Sequence, residues 1–136
     1  MGWQLSIRRS LRPRQQAQGL VEAACTAMLL AVMLGLVVSV ALWGHAQNVA
    51  TAAVQDGARV AAGQGGDLAH GRVRAHNLLA AGLGVSASLV VITTSEDGQS
   101  VTLTARGEWP VITGLGVDVG IPIAAQSHML KHEWHL

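Results

Sequence analysis

Phenylalanine and tyrosine are absent from this 136-residue chain, and tryptophan occurs only four times. So thin an aromatic content leaves no stacking platform for single-stranded nucleic acid. Charge is also sparse. Charged residues make up 12% of the chain and the net charge is +1, which gives no electrostatic case for a nucleic-acid partner. The single cysteine, Cys25, excludes an intramolecular disulfide and says nothing of the redox compartment. No nucleophile elbow, phosphate loop or paired-carboxylate constellation is present. Gly114-Leu-Gly116-Val-Asp-Val-Gly120 has one residue too many for a dinucleotide fingerprint and no βαβ context before it. The chain therefore reads as a non-enzyme with no cofactor.

What the chain does have is one long apolar run. No charged residue falls between Ala23 and Gly44. About 20 apolar residues suffice for a helix to cross a hydrocarbon core of about 30 Å. A spanning segment must satisfy its backbone internally, so the run is expected to be helical. Arg8, Arg9, Arg12 and Arg14 precede it, while the next Lys or Arg after it is Arg59. That asymmetry predicts a cytoplasmic N-terminus and an external C-terminal domain. Residues 1–17 form a basic cytoplasmic leader, residues 18–62 a long helix with its transmembrane part at about 23–44, and residues 63–136 a small external domain. An alternative is a secretory signal cut after Ala46, although the run is longer than the usual apolar region of such a signal.

Beyond the run, alanine dominates up to Ala62 and no proline intervenes, so the helix should continue out of the membrane. Ala46, Ala50, Ala53, Gly57 and Ala61 recur at helical spacing and share one face. Such a face lets another backbone approach closely, either within the domain or in a partner; a plain solvent-exposed alanine helix is the alternative. Asp56 and Arg59 are placed as an i, i+3 ion pair. Gly63 to Gly66 ends the helix, and Asp67 is a candidate N-cap for a second helix over 68–82. Its expected apolar positions are Leu68, Val73, Leu78, Leu79 and Leu83. From 87 to 109 the period changes to that of a hairpin turning at Ser95–Gln99. Val101, Leu103 and Ala105 point one way; Thr102, Thr104 and Arg106 point the other. Residues 110–122 read as a loop bounded by Pro110 and Pro122, with at most one short turn of helix; 123–134 fit either a third strand or a helix, and a third strand that completes the sheet is the reading taken. The fold class expected is α+β: a long helix, a short helix and a three-stranded antiparallel sheet.

Two groups of residues suggest chemistry. Glu22 sits at the lip of the apolar run, where a carboxylate is costly and seeks a positive partner when helices bundle. The alternative is that it only marks the interface. His128, His132 and His135 cluster near Glu133, but they lack the spacing of a tetrahedral zinc site, so no metal is expected.

Gln18-Gly-Leu-Val-Glu22 followed by the run, and Val54-Gln-Asp-Gly-Ala-Arg-Val-Ala61 after it, resemble TadE-like pilus-assembly proteins. These are the minor pilins or pseudopilins of the tight-adherence system. The resemblance covers about residues 14–134, by motif at those two places and by shape elsewhere. It differs in having Ala23 where the family has an aromatic residue, and Ala17 where prepilin peptidases prefer Gly. The resemblance implies leader processing between Ala17 and Gln18, and subunit assembly through Glu22 paired with the new amine. It implies other pilin-like subunits, the pilus assembly machinery and prepilin peptidase as partners. The implied location is the bacterial inner membrane, single-pass, with passage into an extracellular pilus. An uncleaved single-pass envelope protein that binds a partner through its external domain is the competing reading, and a signal-cleaved secreted domain is a third.

Overall fold

A computed structural model describes residues 12–63, 65–112 and 118–131. The N-terminal residues before Arg12, the tail with His132, Glu133 and His135, and most of the expected 110–122 loop's centre lie outside it. The first helix, α1, runs over Arg12–Ala62, 51 residues or about 76 Å of rise. It starts several residues before Ala17. Pro13 does not prevent this, because a proline in the first turn costs no intrahelical hydrogen bond. Gly63 to Gly66 ends it as expected, with Gly65 at φ 68°.

The second helix, α2, spans Leu68–Leu83 and is followed by a 3-10 segment, Gly84–Leu89. Asp67 occupies the N-cap position in extended conformation, yet its side chain makes no capping bond. Three strands follow: β1 Val90–Asp97, β2 Ser100–Ile112 and β3 Asp118–Leu130. They form one antiparallel sheet in the order β1-β2-β3. The chain is thus α+β with a long helix, a short helix and a three-stranded sheet. The β1–β2 turn is tighter than the Ser95–Gln99 cluster suggests. Asp97 pairs with Ser100, so only Gly98 and Gln99 turn the chain, and Gly98 takes φ 46°.

The stretch 110–122 is the main correction. It is not a loop. Strand β2 continues through Pro110 to Ile112 and β3 begins at Asp118, with Pro110 opposite Gly120 and Glu108 opposite Pro122. A proline in a central strand would remove a ladder hydrogen bond. Here β1 ends at the Val90–Gly107 pair, so from Glu108 onward β2 has a free edge and tolerates Pro110.

The helices cover one face of the sheet. Val101, Leu103, Ala105, Ile123 and Ala125 bury themselves against Ala46, Ala50, Ala53, Val54 and Leu79. Alternation in β2 therefore points Val101, Leu103 and Ala105 inward, as period-2 patterning requires. The other face is open and rich in threonine. There Thr102 Oγ1 lies 3.0 Å from His128 Nδ1.

Candidate functional site

The N-terminal half of α1 is bare. Side chains from Arg14 to Leu42 are almost all exposed, and Met28 and Leu34 each show about two-thirds of their surface, at 64% and 66%. A contiguous apolar surface of this size marks contact with a membrane or another chain. The helix is long and apolar enough to cross a bilayer, with a mean hydropathy of 2.5 in its most apolar window. Ala17, Gln18 and Glu22 lie on exposed helical turns at its start. Gln18 and Glu22 are one turn apart on the same face. The Glu22 carbonyl accepts the Thr26 hydroxyl at 2.9 Å, which uses a polar group of the span within its own helix. Cys25 is exposed on the same surface.

At Trp43 and Gln47 the helix meets the sheet. The Trp43 indole N–H donates to the Pro122 carbonyl at 3.3 Å. The Gln47 amide donates to the Ala124 carbonyl at 2.6 Å, and its oxygen accepts the Ala124 N–H at 3.3 Å. A side-chain amide thus stands in for a fourth strand and closes part of the β3 edge. Nothing in the local sequence announces this. A buried-side amide four residues from a Trp is the only hint.

Further along, the five small residues lie in the domain's own core. Ala46, Ala50 and Ala53 are fully buried, and Gly57 and Ala61 are buried beside them. They face small residues of α2. A Cβ placed on Gly57 would come within 2.7 Å of the Gly71 carbonyl and 2.8 Å of the Ala75 methyl, and one on Gly71 within 2.6 Å of the Ala61 methyl. Val49 fills the space above Gly82 in the same manner. Gly71, Ala75 and Gly82 form the face of α2 that packs on α1, which a search for large apolar residues overlooks. Of the larger positions, Leu79 is buried, Leu68, Leu78 and Leu83 are half-buried, and Val73 is exposed. Asp56 meets Arg74 of α2 at 2.7 Å, whereas Arg59 is exposed on its own helix. A second ion pair joins Lys131 to Glu96.

Among the described residues no group of histidine, cysteine and acidic side chains could hold a metal ion. His128 lies on the open sheet face against Thr102; His132, Glu133 and His135 fall outside the described residues. A shallow cavity of about 470 Å³ lies between α2, the 3-10 segment and β1, lined by Arg72, His76, Asn77 and Ser88 among others. It gathers no catalytic constellation.

An exposed apolar half-helix that passes without a break into a packed, small-residue half is the decisive arrangement. Residues 17–59 match the family model of TadE-like proteins. The TadE-like segment thus begins at the residue before Gln18, contains Glu22 and the whole apolar run, and ends within the α1–α2 crossing. It carries the Gln18–Glu22 motif whole and the second motif from Val54 as far as Arg59. The match covers the first helix only and stops short of the sheet. No curated protein and no solved structure matches the chain.

Proposed function

We propose that this protein is a minor pilin or pseudopilin, a structural or assembly component of a type IV-like Tad pilus that acts in priming or at the tip. It is a non-enzyme that works with other pilin-like subunits. The observation that carries the reading is the TadE-like match over 17–59 laid on a helix whose first half is bare and whose second half anchors the domain. A filament subunit needs both: a half-helix free to bundle and a head that stays folded when the membrane is left behind.

The mechanism follows from Gln18 and Glu22. Prepilin peptidase cleaves between Ala17 and Gln18 on the cytoplasmic side of the inner membrane. The new amine of Gln18 is cationic, and Glu22 offers it a carboxylate one turn away or in the neighbouring helix. A charge left unpaired in an apolar bundle is strongly unfavourable, so the pairing sets axial register as subunits leave the bilayer. The external domain, residues 63–136, then projects outside.

Edman sequencing of the protein from its native membrane tests the processing step. A start at Gln18 is expected. A start at Met1 or Gly2 would overturn it and leave the uncleaved envelope protein as the reading, which Ala17 in place of glycine favours. Co-purification with pilin-like subunits after mild crosslinking is the companion result expected; a chain recovered alone would count against the assembly role.

A further inference from the structure

The two edges of the sheet differ. Trp43 and Gln47 close part of the β3 edge, whereas β1 is the other outer strand and its edge is open. The register tells which of its backbone groups are bare. Ala124 turns its N–H and carbonyl to Gln47, so even-numbered residues of β3 face away from β2. Antiparallel pairs alternate between bonded and unbonded, so odd-numbered residues of β2 bond β3 and even-numbered ones bond β1. Thr104 therefore bonds Thr93, and Ile92 and Thr94 turn their N–H and carbonyl groups outward. Val90 donates its N–H to the Ala87 carbonyl, but among the described residues nothing meets the groups of Ile92 and Thr94. Such an edge pairs with an arriving strand unless lysine, proline or a covering element blunts it. From Val90 to Ser95 there is neither charge nor proline, and Val91 is 65% exposed.

Beside this edge lies the cavity of about 470 Å³. Val90, Val91 and Ile92 line it in succession, so the backbone edge of β1 itself forms one wall. Arg72, Val73, His76 and Asn77 form the wall on α2, and all four are exposed. The charge there has one sign. Helix α2 contains no acidic residue, and no Asp, Glu, Lys or Arg falls between Arg74 and Glu96. Asp56 is taken by Arg74, while Arg72 has no acidic partner among the described residues. A residue on an added strand directly opposite Ile92 shares its face of the sheet, the face that the helices cover. Its side chain enters the cleft toward Arg72 and His76, with Val73 and Val90 beside its stem.

We propose that the β1 edge and this cleft dock an extended acidic segment of a partner protein. The segment adds a fourth strand beside β1 and sets an aspartate or glutamate against Arg72 and His76. Main-chain bonds to Ile92 and Thr94 supply affinity, and the carboxylate supplies selectivity. The site is separate from Glu22 and does not need leader processing. A second copy is the poorer occupant. The Trp43–Pro122 and Gln47–Ala124 bonds run β3, and with it β1, in the direction of α1. Antiparallel pairing of two β1 edges would invert one α1 against the other, which two spans of the same orientation in one bilayer do not allow.

The test presents the full chain with Cys25→Ala, in phosphatidylcholine nanodiscs, to a display library of random peptides as long as β1. Empty discs serve for subtraction. The expected result is enrichment of peptides bearing aspartate or glutamate among β-branched residues, and a switch to lysine or arginine when the bait carries Arg72→Glu. A synthetic peptide from the first pool should bind the Arg72→Glu chain about tenfold more weakly. It should also slow hydrogen exchange at the Ile92 and Thr94 amides. Thr94→Pro removes an outward N–H that the sheet does not use, so it should abolish binding and keep the thermal midpoint. Peptides without acidic bias, or indifferent to the charge at position 72, would overturn the proposal, as would no selection above empty discs. Exchange already slow at Ile92 and Thr94 in the free chain would overturn it too, because the edge would then be closed. A crosslinked dimer that Thr94→Pro dissolves would assign the edge to a second copy instead.

Discussion

Gln47 acts on this fold through the backbone of β3 rather than through packing. Its amide both donates to and accepts from the Ala124 backbone, and so it seals an edge that would otherwise be open. Replacing Gln47 by alanine leaves a donor and an acceptor of β3 without partners. A loss of about 1–3 kcal/mol is expected from the desolvation of unpaired groups. Hydrogen exchange at the Ala124 amide, in detergent-solubilised protein, should quicken in the variant and stay slow at Ala105, whose strand is paired on both sides. By contrast, the Asp56–Arg74 pair is half-exposed and worth under about 1 kcal/mol. It joins two helices, a partner choice that sequence separation does not reveal. The Asp56–Arg59 spacing suggested an intrahelical pair because neighbours at i, i+3 always share a face, whereas α2 arrives only through the tertiary fold.

At the scale of elements, the α1–α2 crossing is made of absent side chains. Gly57 and Gly71 let the two backbones approach until carbonyl oxygens lie where a methyl would go. Either glycine changed to alanine forces the helices apart, and Leu103 with them on the Gly57 side. Overpacking of this kind costs about 1–3 kcal/mol. Thermal unfolding of full-length Gly57→Ala and Gly71→Ala in micelles should show a lowered midpoint, while Gly19→Ala, which meets nothing, should not. The face on α1 was legible in sequence because alanine and glycine recur at three and four. Its counterpart on α2 was not, because Leu and Val drew attention to the other side. The strands divide in the same way. Alternation identified β2 between Ser100 and Trp109. Beyond Trp109 the glycines and prolines imitated a loop, and only the end of β1 at the Gly107 pair shows why Pro110 is tolerated in a strand.

For the whole molecule, the division of α1 into a bare half and a packed half is the property on which the proposed pilin role rests. Glu22 lies on the bare half, so its removal should leave the domain and its insertion untouched. Glu22→Ala is expected to fractionate with the membrane as the native chain does, and to reduce pilus assembly sharply, as scored by filaments sheared from cells. Normal filaments would refute the pairing of Glu22 with the Gln18 amine. The apolar run, the leader charges and the two motifs are one-dimensional facts. A membrane helix is specified by length, hydropathy and flanking charge, and these alone indicated the span, its expected orientation and the TadE-like resemblance. Three-dimensional placement decided the rest. Which helix face α2 covers, and which strand edge Trp43 and Gln47 meet 79 and 77 positions away, depend on residues distant in the chain meeting through packing. No local propensity encodes such a meeting, because its free energy exists only once both partners are in place.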